Sequence, residues 1–144
     1  SSTYLSNHTS KQNMKKIILT LFVASNFCFA QTQSKMNQDA DANYKKADKE
    51  LNSVYNKILN DYKDDKIFIA KFKTAQNAWI KFRDAEMNAL FPEEDKKTQY
   101  GSVFPMCWSN ALTELTKQRI MKLKIWLNGI EEGDACAGSI KIKE

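Results

Sequence analysis

Among the side chains that commonly carry catalysis, the 144-residue sequence holds one histidine, three cysteines and 17 aspartates and glutamates. The histidine is His8 and one cysteine is Cys28, and both fall in a segment that reads as a leader. Beyond it there is no histidine, which removes Ser–His and Cys–His nucleophiles, imidazole acid–base chemistry and any histidine-containing zinc site. Cys107 and Cys136 are too few for a thiolate metal cage. All four glycines (Gly101, Gly129, Gly133, Gly138) lie at or beyond position 101, so no phosphate-cradling loop precedes a helix. Counting alone leaves a carboxylate-only hydrolase open, but acids spread over a helical pattern read as solvated faces. No catalytic residue, cofactor or metal is expected.

The leader is built from Met14-Lys15-Lys16, an apolar run over 17–29 and a polar stretch from Gln31. A short basic region, roughly 13 apolar residues and a small residue at the cleavage position form a secretory signal peptide over 14–30, with cleavage after Ala30. A membrane anchor is the competing reading. The run falls short of the roughly 20 apolar residues a span needs, and Asn26 interrupts it. Asn26-Phe27 before Cys28 also fits a lipid-modified cysteine poorly. Residues 1–13 precede Met14 and read as an upstream or vector-derived segment. The working domain is therefore 31–144, with a short C-terminal tail, and it carries no stable membrane span once the signal is removed.

Export changes the meaning of the charge. The whole chain is +5, but Lys11, Lys15 and Lys16 lie before position 31, leaving 19 basic against 17 acidic residues, a net of +2. A nearly neutral exported domain gives no nucleic-acid footprint. With 42% hydrophobic residues a core can form, and with only four glycines and two prolines a many-turned β chain is disfavoured.

The elements that must position any site are helices. Residues 36–90 contain neither Gly nor Pro. Met36, Ala40, Tyr44, Ala47, Leu51, Val54, Ile58 and Tyr62 recur at steps of three and four, the spacing of one apolar helix face. The polar run 61–66 breaks the pattern, and Asp64 or Asp65 can cap a second helix. That helix would reach about Leu90 with a stripe of Phe68, Phe72, Ala75, Trp79, Phe82 and Leu90, and Phe91-Pro92 would end it. Pro105 suits the first turn of a third helix, whose face holds Trp108, Leu112, Leu115, Leu123, Trp126, Leu127 and Ile130, and Gly129 or Gly133 marks its end. The fold class is all-α: an up-down-up bundle of three antiparallel helices, with a loop over 91–104 between helices two and three. The heptad-like spacing of helix one also permits a coiled-coil dimer, so the oligomeric state is open.

Two charged residues fall on the apolar stripes. At about 100° per residue, Arg119 lies near Leu112 and Glu86 near Trp79. They are expected to meet as a registry-fixing pair, with Arg83 and Thr116 completing the hydrogen bonding; a ligand site is the alternative.

Several of these residues carry a resemblance. Leu51-Asn52 with Tyr55, then Gln76, Trp79 and Phe82-Arg83-Asp84-Ala85-Glu86, then Gly101-Ser102, and finally Leu115-Thr116 with Arg119 and Leu123, resemble the lysozyme inhibitor LprI N-terminal domain family over about 36–127. The structural motif is thus Asn52, Tyr55, Gln76, Trp79, Arg83, Asp84, Glu86, Thr116 and Arg119. The resemblance implies an exported helical protein of the bacterial envelope, periplasmic or secreted, in a family named for inhibiting lysozyme. Family members commonly carry cysteines at the positions that hold Met87 and Ala111 here, so the expected pair is missing as a unit.

Cys107 and Cys136 can form a different bridge in an oxidising compartment. A helix over 107–128 spans about 31 Å, and the eight steps to Cys136 reach at most about 27 Å. The bond therefore needs a nearly straight tail, and is easier if the helix starts after Cys107; free or intermolecular thiols are the alternative.

Two function classes follow. The first is a non-enzymatic binding module that inhibits a lysozyme by steric occlusion; the second is an envelope scaffold with no lysozyme target. The partner is a lysozyme or another envelope protein. For inhibition, the protruding candidate is the 91–104 loop, where Lys96, Lys97, Tyr100 and Ser102 surround Gly101. Lysine and hydroxyl donors suit a cleft containing two carboxylates.

Overall fold

The structure, a computed structural model, describes the backbone of residues 2–143 and the side chains of residues 30–143. The side chains of the leader over 14–29, including Cys28, lie outside the described residues. The chain divides into two compact units, 1–36 and 37–144, and the bundle is the second. Among the described residues no helix is long and apolar enough to cross a membrane.

The architecture is all-α. Helix α1 covers Ser2–Asp61, α2 Lys66–Leu90, α3 Lys96–Tyr100 and α4 Phe104–Asn128, with a 3-10 turn at Gly101–Val103. The 91–104 connection is therefore not irregular, because it holds α3 and the 3-10 turn. Asp65 caps α2 by accepting from the Phe68 N–H at 2.9 Å. Asp95 caps α3 through the Thr98 N–H and hydroxyl, and these bonds hold its carboxyl below the ordinary range. Pro105 sits in the first turn of α4, where its missing N–H has no helical partner to lose.

Cross-element contacts fix the directions. Asn37 donates to the Ser102 carbonyl, Lys124 pairs with Glu50, and Tyr62 donates to the Trp126 carbonyl. Both helices ascend together, so α1 and α4 are parallel. On α2, Phe72 lies against Trp126 and Gln76 meets Arg119, so α2 descends between them. That is the up-down-up arrangement the spacing predicts.

The core is built from Leu51, Val54 and Ile58 of α1, Phe72 of α2, and Ile120 and Leu123 of α4. Each such side chain contributes about 1.5–3 kcal/mol by leaving water. The α1 stripe holds from Ala40 to Ile58, whereas Met36 is 40% exposed. The α2 stripe needs correction. Gln76 and Met87 are buried, while Ala75, Phe82 and Leu90 are exposed. At about 100° per residue, Gln76, Arg83 and Met87 fall to one side of Phe72, and Ala75 and Phe82 to the other. The helix is rolled toward its polar neighbours because α1 and α4 meet it there. Leu90 shares the angle of Phe72 but lies in the last turn of α2.

Each end of the bundle is closed by aromatic rings. Tyr55, Tyr62, Phe68, Phe72 and Trp126 pack around the α1–α2 turn. Phe91, Tyr100, Phe104 and Trp108 pack around the α2–α4 connection. The tail is not a free end either: Ile130 bridges Ile142 in parallel, and the Lys141 N–H donates to the Tyr62 hydroxyl at 3.1 Å. Gly129 makes this turn with φ 72° and ψ 177°, a region that only glycine enters readily.

Candidate functional site

The motif residues of α2 and α4 come together on one side of the bundle. Gln76, 6% exposed, accepts from Arg119 Nε at 2.9 Å. The Arg83 and Arg119 guanidinium carbons lie 5.5 and 5.7 Å from the centroid of the Trp79 ring. Arg83 is held by Asp84 through Nε and Nη2 at 2.9 and 2.7 Å. Burial moves the Arg119 guanidinium below its ordinary pKa.

The expected Glu86–Arg119 pair does not form. Glu86 is exposed, and the same roll of α2 that buries Gln76 carries it away, so a neutral amide replaces a carboxylate opposite Arg119. Arg83 and Thr116 do not complete that network. Arg83 bonds Asp84, and Thr116, fully buried, has no hydrogen-bond partner for its Oγ1. Elsewhere in the motif, Tyr55 stacks on Phe72 at 5.4 Å. Asn52 stays local, donating to the carbonyl and carboxylate of Asp48.

Outside Trp79 and Arg119 a groove of about 530 Å³ runs between α2 and α4, lined also by Phe82, Leu115, Met121 and Ile125. Phe82 and Met121 are 53% and 63% exposed. The sequence reading missed this surface. On α4 its residues fall at 115, 118, 119, 121, 122 and 125, where Gln118, Arg119 and Lys122 interrupt the apolar members and hide the stripe.

The loop residues divide into braces and exposed groups. Lys96 Nζ donates to the Phe91 and Glu93 carbonyls, both at 2.8 Å. Tyr100 is half-buried between Phe91 and Phe104 at centroid distances of 5.3 and 5.8 Å. Lys97, Gly101 and Ser102 are exposed. Cys107 and Cys136 are both free thiols. The reason lies in the placement of the tail, since α4 already includes Cys107 in its first turn while the Ile130–Lys141 bonds hold the tail at its other end.

A sequence model of the lysozyme inhibitor LprI family matches residues 28–123, two thirds of the chain. The chain belongs to the LprI family. It is also 33% identical over 115 residues to an uncharacterized protein of Rhizobium meliloti (strain 1021), covering 71% of this chain and 78% of that one. No solved structure matches. The LprI match takes in both motif segments, the loop and all of the groove lining except Ile125, whereas the tail after Gly129 lies beyond it. Met87, on α2, is 2% exposed, and Ala111, on α4, is half-buried.

Proposed function

We propose that this protein is exported by the 14–30 signal peptide and acts in the envelope as a steric inhibitor of a lysozyme, with no catalysis of its own. The observation that carries the reading is the LprI match over 28–123. The bundle presents rigid helices and one braced connection, which suits occlusion because little freedom is lost on binding.

The connection over 91–104 is the surface proposed to enter the target. Lys96 and Tyr100 brace it from within and Asn37 holds the Ser102 carbonyl, so the Lys97 ammonium and the Ser102 hydroxyl, both at exposed positions, are the groups offered to a partner. A lysine there can pair with a cleft carboxylate.

The test is a lysis assay with the purified protein against several lysozyme types, beside Lys97→Glu. Inhibition by the parent that weakens in Lys97→Glu, with unchanged helical circular dichroism, supports the assignment. Full inhibition by Lys97→Glu removes the loop from it. An inactive parent across all types favours the envelope scaffold.

A further inference from the structure

The groove between α2 and α4 contains a half-buried cation with no carboxylate set against it. Arg119 uses Nε on the neutral oxygen of Gln76, and no ion pair among the described residues involves it. Among the described residues no carboxylate lines the groove; Asp84 holds Arg83, Glu114 accepts from Gln118, and Glu86 is exposed. A guanidinium carries five N–H donors, so the four on its terminal nitrogens suit a bidentate anion. Lys122 adds a second cation to the lining, and Phe82, Met121 and Ile125 supply exposed apolar surface beside it.

We propose that this groove docks a protein segment that presents a carboxylate beside an apolar side chain. The carboxylate pairs with Arg119, and the apolar group lies on Phe82, Met121 and Ile125. Charge complementarity selects the anion, and partial burial makes the pair stronger than one formed in open solvent. The lining suits a protein segment better than a glycan: apart from Phe82 and Trp79 its apolar members, Leu115, Met121 and Ile125, are not flat, and the Trp79 ring already has guanidinium groups over it. The inference rests on the inhibitor reading only for naming the partner as a lysozyme.

The probes are two short synthetic peptides, one of leucine and glutamate and one of leucine and glutamine, titrated into the protein and followed by NMR. The glutamate peptide should move the Trp79 indole and Met121 methyl signals and bind about tenfold more tightly than the glutamine peptide, the worth of one charge-assisted pair. Met121→Glu with Lys122→Glu, both at exposed positions, should abolish that preference with unchanged circular dichroism, while Lys97→Glu leaves it intact. Equal affinity for the two peptides, shifts confined to other surfaces, or a stronger response to a chitin oligosaccharide would overturn the proposal. The same variants in the lysis assay separate the two readings. Peptide capture without inhibition of any lysozyme refutes inhibition and keeps the groove, whereas inhibition without peptide capture refutes the groove alone.

Discussion

Arg119 on α4 reaches across to α2 and hydrogen-bonds Gln76, not an acid, at 2.9 Å. A half-buried guanidinium set on a neutral amide has one good hydrogen bond and no Coulombic partner, so removing the amide leaves its Nε–H without an acceptor. Gln76→Ala should destabilise the bundle by about 1–3 kcal/mol in urea denaturation. Glu86→Leu should stay within about 0.5 kcal/mol. A double-mutant cycle should couple Gln76 to Arg119 by at least about 0.5 kcal/mol and leave Glu86 uncoupled. Coupling of Arg119 to Glu86 instead would refute the placement.

Met87 on α2 is 2% exposed. Met87→Ala should cost about 2–5 kcal/mol, the range for opening a core cavity. Leu90→Ala, three residues on but 58% exposed, should cost far less. Similar losses in thermal melts of the two variants would show that α2 is not rolled as described.

The tail depends on one glycine. A Cβ at Gly129 would lie 2.8 Å from the Lys141 carbonyl oxygen, on a backbone with φ 72°. Gly129→Ala should therefore release 130–143, at a cost of about 1–3 kcal/mol. Tyr62→Phe should act in the same direction, because it removes both the donor to Trp126 and the acceptor for Lys141. Hydrogen exchange at Ile130 and Lys143 should accelerate in both variants while the α1 core stays protected.

Acid should weaken one exposed pair. The Lys124 ammonium, bonded to Glu50 at 2.8 Å, holds that carboxyl below its ordinary value of 4.5. A depressed folded-state pKa means stability that is present above about pH 4.5 and lost as pH falls through the folded value. Both groups are solvated, so the pair contributes only a few tenths of a kcal/mol. The small stability gap between the parent and Glu50→Gln at pH 7 should close by pH 3, and a gap that widens on acidification would contradict the sign.

Because Cys107 and Cys136 are free, mild reduction should leave the melting temperature unchanged. A thiol reagent should label Cys136, which is exposed, before Cys107. Recovery of both cysteines in one disulfide-linked tryptic fragment would overturn this.

The sequence by itself determined the three long helices of the bundle and their order, but not the short α3. Spacing on α1 located Ala40, Ala47, Leu51, Val54 and Ile58 in the core, since a periodic apolar face has one stable way to leave water. The Asp64-Asp65 pair, of which Asp65 is the cap, and Pro105 marked helix starts through local chemistry that needs no distant partner. The motif residues Gln76, Trp79 and Arg119 were also legible as a set. Their partners were not: only the rolled packing of α2 against α1 and α4 placed Gln76 opposite Arg119 and turned Glu86 and Phe82 outward. The bracing of Lys96 and Tyr100, the groove around Phe82 and Met121, and the tail turn at Gly129 arise from contacts between residues distant in sequence or from backbone geometry. Periodicity carries no record of those, because it reports which face of a helix is apolar and not which neighbour meets it.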